Sequence, residues 1–97
     1  MFTVEPLNRS MSGIFDHLIF PRYRRLLRED NDQVVVGAVT RLLEPVGLVV
    51  GWAEPKTGTG TVLSLFVNKF FRNSGIGSNL IRYVENNFRE KGCSQST

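Results

Sequence analysis

The chain has 97 residues, enough for one domain and one core with little stability to spare. Hydrophobic residues make up 41% and charged residues 22%, ordinary globular values that exclude a disordered chain. Twelve basic against nine acidic residues leave a formal charge of +3, which suits an anionic small molecule and is too small to require nucleic acid.

Phe2 to Glu5 alternates weakly and predicts a short first strand ended by Pro6. From Ser10 to Glu29 the pattern turns helical: Ile14, Leu18 and Ile19 share a face, and Ser10 or Ser12 caps the start. Pro21 removes a backbone donor and splits the region, so two short helices are expected, closed by a polar turn at Asp30 to Asp32. Val34 to Leu43 is rich in β-branched residues and predicts a strand. Glu44, Pro45, Val46 and Gly47 predict the hairpin connection, with Leu48 to Glu54 returning. Pro55 to Gly60 is a second loop. Thr61 to Val67 is apolar almost throughout, which predicts a central strand covered on both faces.

After Asn68 a short loop opens the best helix of the chain. Ile76, Leu80, Val84 and Phe88 recur every fourth residue, Ile81 widens the stripe, and Gly92 sits where a left-handed cap belongs. Cys93 to Thr97 are too few to predict a strand. Cys93 is the only cysteine and His17 the only histidine, which excludes an internal disulfide and argues against a metal centre. With no apolar run long enough to span a bilayer and no secretion-signal layout at the N-terminus, cytoplasmic location is the default and no membrane partner is expected.

The chemistry concentrates between Val62 and Ser78. A strand runs into a loop with two glycines, and the loop opens an amphipathic helix whose first turn carries unpaired N–H groups and the positive dipole end. Gly75 and Gly77 omit side chains where a ligand needs close approach to the backbone, which is the arrangement of a phosphate or pyrophosphate cradle. A Walker loop is excluded because Ser78 and Asn79 follow Gly77 in place of Lys and Ser or Thr. A dinucleotide fingerprint fails because its third glycine falls on Leu80.

Arg72, Asn73, Ser74, Gly75, Ile76 and Gly77 do satisfy Arg/Gln-x-x-Gly-x-Gly/Ala, and the chain thereby resembles the GNAT superfamily of N-acetyltransferases. The resemblance extends over the whole chain in element order. It implies an α/β (α+β) fold: a mainly antiparallel sheet, two short helices on one side and the signature helix on the other, as a single partial domain over 1–97 truncated before the C-terminal strands. It implies acetyl-CoA or CoA as co-substrate. The N–H groups of Asn73, Ser74, Gly75, Ile76 and Gly77, with Ser78, would hold the pyrophosphate, and the backbone of Leu65 and Val67 would pair with pantetheine. Arg72 would add charge, and Lys69 either reaches the 3′-phosphate or only solvates the loop.

The family's strand glutamate has no counterpart in Thr61 to Val67, which contains no acid and where Ser64, unassisted, is a poor base, and its late tyrosine would lie beyond Thr97. Glu54 and His17 are the remaining base candidates, both weak. Two functions stay open: acetyl transfer to an unknown amine by direct attack, or a non-catalytic CoA-binding or dimerising module. A strand edge left open by truncation predicts either a homodimer, through that edge or the last helix, or a fragment of a longer protein. Arg22, Arg24, Arg25 and Arg28, with only Tyr23 interleaved, are weak support for nucleic acid.

Overall fold

The computed structural model describes residues 2–7, 13–18 and 33–96. Five strands form one sheet in the order β1-β2-β3-β4-β5. They are β1 (Glu5–Pro6), β2 (Val34–Arg41), β3 (Glu44–Glu54), β4 (Thr59–Val67) and β5 (Gln95–Ser96), with one long helix, α1 (Ile76–Glu90). The first four strands run antiparallel to their neighbours, and β5 is parallel to β4. Residues 13–15 are helical and Asp16–Leu18 is a 3-10 turn. The rest of the expected helix pair, including Pro21 and the four arginines, lies outside the described residues.

Several expected boundaries move. Pro6 does not end the first strand but lies in it, opposite Gly37, where an edge strand tolerates its missing donor. The β2–β3 turn is Leu42 and Leu43, not Glu44 to Gly47. Glu44 and Pro45 already belong to β3 and pair with Arg41 and Thr40. A register shift after Val39 leaves Val46 as an extra residue, a bulge that accommodates the proline. β4 is not a covered central strand: most of it is only half-buried, and Leu65 is exposed. The last residues do form a strand, because Gln95 and Ser96 pair with Thr59 and Gly60.

Alternation along the strands divides the core between two faces. On one, Ile76, Leu80, Val84 and Phe88 of α1 pack on Val35, Val39, Val49 and Ala53. Burying each of these four helix side chains is worth roughly 1.5–3 kcal/mol. On the other, Phe15 packs with Ala38, Leu48 and Val50. The helix sits close to the sheet because glycines lie beneath it. A Cβ on Gly47 would stand 2.9 Å from Leu80, on Gly51 2.7 Å from Val84, and on Gly60 2.1 Å from Phe88.

α1 ends as its sequence predicts. Gly92 takes φ +89°, its N–H bonds Arg89 O at 3.1 Å, and Cys93 N–H bonds Phe88 O at 2.8 Å. This pair of bonds is a Schellman cap, and buried Cys93 supplies the apolar contact that accompanies it. Among the described residues no helix is long and apolar enough to cross a membrane.

Candidate functional site

The loop from Asn68 to Gly75 is held from within. Asn68 N–H donates to Val46 O at 2.8 Å and its Nδ2 to Pro45 O at 3.1 Å, fixing the end of β4 to the start of β3. Its Oδ1 accepts from Phe70 N–H at 3.0 Å, and its carbonyl accepts from Phe71 N–H at 2.8 Å, closing the 3-10 turn Lys69–Phe71. The Phe71 ring meets Phe2 edge to face, with centroids 5.4 Å apart. Ser74 Oγ donates to Phe71 O. Arg72 Nε donates to Val67 O at 3.3 Å, drawing the guanidinium back over the strand end.

Two residues of the loop take left-handed backbone. Asn73 has φ 70° and Gly75 φ 84°, which asparagine tolerates and glycine adopts freely. Gly75 is the N-cap of α1 and offers no side-chain cap. Asn79 N–H closes on Gly75 O at 3.0 Å, whereas no described residue accepts from the N–H groups of Ile76, Gly77 or Ser78. The first turn also contains no acid. Unpaired donors and the dipole thus act together at this terminus.

The two glycines differ in origin. Gly75 is required by its positive φ. Gly77 is not required by the fold: a Cβ there would meet only Val67, at an ordinary 3.7 Å. What its missing side chain preserves is space outside the helix. That space opens into a groove of about 390 Å³ lined by Leu65, Gly77, Ser78, Ile81, Arg82 and Glu85. The groove lies along the outer edge of β4, where β5 covers only Thr59 and Gly60, so no strand lies beyond residues 64–67 among the described residues. Midway along β4 the register passes from Val50–Ser64 to Gly51–Val62, leaving Leu63 as a bulge that bends the strand.

The structure therefore brings together Leu65, Val67 and the run Arg72 to Ser78. It does not bring Glu54 or His17 to them. Glu54 ends β3 opposite Thr59, seven residues from Gly47 and so about 20 Å from the loop end of the sheet. Its Oε2 accepts from Gln33 Nε2 at 3.1 Å. His17 is exposed on the 3-10 turn beside Phe15, which packs on the face away from α1. Sequence reasoning missed Ile81, Arg82 and Glu85 in the groove. Their helical spacing from Gly77 and Ser78 places them on one face, but nothing in their types marks that face as lining a cleft. Asn68 was also passed over.

Fold and loop define an α+β protein in which unpaired helix-terminal amides stand beside an open strand edge. Comparison with known proteins gives the family: the model described as the acetyltransferase (GNAT) family matches residues 3–97. The chain belongs to that family. It is similar to the glucosamine-6-phosphate N-acetyltransferase of Arabidopsis thaliana, at 14% identity and TM-score 0.79, covering 100% of this chain and 80% of that one. An aminoglycoside antibiotic 6′-N-acetyltransferase of Acinetobacter baumannii gives 16% identity and TM-score 0.81, with 100% and 79% covered. An aminoglycoside N-acetyltransferase in complex with CoA gives 17% and 0.78, with 98% and 76% covered. At these identities the likeness concerns the fold. A search of curated proteins found no match.

Proposed function

We propose that this chain binds acetyl-CoA and transfers the acetyl group to an amine, or supplies the acetyl-CoA-binding part of such an enzyme. The observation that carries the reading is the pairing of unpartnered Ile76, Gly77 and Ser78 amides with a Gly77 the fold does not need. In this reading the amides from Asn73 to Ser78 hold the pyrophosphate at the dipole end, and Arg72 adds positive charge. The pantetheine arm lies along β4 past Leu65. Val67 offers less than the resemblance implies, since its carbonyl already accepts from Arg72. The thioester then reaches the bulge at Leu63, about 13 Å along the strand from Val67.

The chemistry asked of the protein is mainly positioning. A neutral amine attacks the thioester carbon, a C–N bond forms and the C–S bond breaks. The thiolate leaves and is protonated as the amine loses its extra proton. Neither Glu54 nor His17 is placed to take that proton, and β4 carries no acid. This favours a second reading, a CoA-binding module without turnover. A further element of the proposal is a homodimer, through the last helix when pantetheine occupies the open β4 edge or through that edge when it does not, which predicts an elution volume that shifts with concentration.

Titrating the 97-residue chain with CoA and acetyl-CoA by calorimetry tests the shared step, with Gly75→Glu as the loop control. Heat of binding lost in the control supports the site; no heat in either protein removes both readings. Thiol release from acetyl-CoA with a panel of amines then separates enzyme from module.

A further inference from the structure

The β2–β3 turn contradicts ordinary turn chemistry. Leu42 and Leu43 take φ of 52° and 65°, left-handed values at both central positions of a two-residue hairpin. Asn, Asp and Gly fit those positions; branched apolar side chains do not. Burial offers no compensation, because the two side chains are 89% and 82% exposed. Phe70, 80% exposed, belongs to the same end of the sheet. Asn68, two residues before it, is bonded to Val46 and Pro45 at the base of that hairpin. Among the described residues, exposed Arg41, Lys69 and Arg72 accompany these side chains, with exposed Glu44 beside the turn and exposed Glu5 sharing a pocket with Arg41, three positive charges against two negative. Lys69 Nζ stands 5.2 Å from the Phe70 ring centroid, so cation and apolar surface are presented together.

From this juxtaposition of a strained, exposed Leu-Leu turn, an exposed Phe and three cations, we infer that the hairpin end of the sheet docks on an anionic lipid bilayer. Backbone strain retained without internal compensation is expected where the side chains serve an outside contact. A stable protein partner asks for about 800 Å² of complementary surface on each side, and three protruding side chains do not offer it. A bilayer needs no matching shape: apolar tips enter below the headgroups while arginine and lysine meet anionic lipid. Each cation near such a surface raises affinity roughly fivefold. This departs from the sequence-based expectation of no membrane partner, which rested on the want of a spanning segment. The inference shares Arg72 with the proposed acetyl-CoA site, whereas Leu42, Leu43 and Phe70 have no part in that site.

The test is cosedimentation of the chain with sucrose-loaded vesicles, either phosphatidylcholine alone or an equimolar mixture with phosphatidylserine. The wild type should pellet with the mixed vesicles, less with phosphatidylcholine, and less as salt rises. The double variant Leu42→Asn/Leu43→Gly suits the turn, so it should melt at higher temperature than the wild type and yet stay in the supernatant. Phe70→Ala should lower the bound fraction on its own. A wild type that remains in solution with mixed vesicles at low salt would overturn the inference. So would a double variant that is folded and pellets as the wild type does. Self-association abolished by the same variant, without vesicle binding, would overturn it in favour of a second copy.

Discussion

Replacing Gly77 with Asp should strengthen the fold and weaken the ligand, two effects of opposite sign from one carboxylate. Gly77 is the second residue of α1, and a Cβ there meets only Val67 at 3.7 Å. Leaving glycine gains about 0.3 kcal/mol of helix propensity. A carboxylate in an acid-free first turn adds about 0.3–1 kcal/mol through the dipole. Together these raise the melting temperature by roughly 3–6 °C in a domain of this size. The same charge stands where the pyrophosphate is proposed to lie. At about 5 Å and an effective dielectric of about 20, one phosphate charge is repelled by roughly 3 kcal/mol. Partial exposure and salt bring that to about 2 kcal/mol, near thirtyfold in affinity. Differential scanning fluorimetry and a CoA titration read the two numbers separately. A variant that melts lower and binds less would mean the substitution merely damages the helix, and the reasoning about Gly77 fails. A stabilised variant with unchanged CoA affinity would remove the loop from the binding site.

Gly60→Ala forces a Cβ into the Phe88 ring, 2.1 Å from Cδ2, and should cost about 1–3 kcal/mol or more by overpacking. Adding Phe88→Leu should recover part of that loss, and denaturant unfolding of the four-member cycle would show additivity instead if the two did not touch. Burial raises the Tyr83 phenol above its usual value, with Glu90 adding to the rise and the Asn87 hydrogen bond opposing it. The folded state therefore keeps its proton longer, so stability is lost as pH climbs above about 10, where the unfolded phenol ionises. Tyr83→Phe should flatten this alkaline fall relative to wild type; parallel pH curves for the two proteins would refute the assignment. Asn68→Ala removes the bonds to Pro45 O and Phe70 N–H and should cost about 1–3 kcal/mol, read as a lower denaturant midpoint at unchanged slope.

The helix and its loop were legible from the residues because their signals agree at every level. The four periodic residues of α1 are all buried, Gly92 caps it, and the motif falls on its first turn. The hairpin was misplaced because its chemistry points the wrong way. Pro45 and Gly47 look like turn residues, but a bulge absorbs the first and the second makes room for Leu80 and Ile76. Leu42 and Leu43 look like strand and form the turn. β4 was read as covered because its composition is apolar, whereas which strand has a neighbour is a property of topology. The groove beside it was invisible for the same reason: Ile81 and Arg82 acquire their place only when α1 lies against an open edge.

The glycines beneath α1 also act as notches that index the helix to the sheet. Leu80 and Ile76 seat over Gly47, Val84 and Phe88 over Gly51, and Phe88 again over Gly60. A helix engaged at these three points, and at a fourth where Tyr83 lies over Gly37, can neither slide along the strands nor roll about its axis without climbing out of a notch. Its amino-terminal amides therefore inherit their position from contacts up to about 20 Å away at the other end of the rod. Filling the last notch would tilt the whole lever, and the loop would be displaced by a change that never touches it.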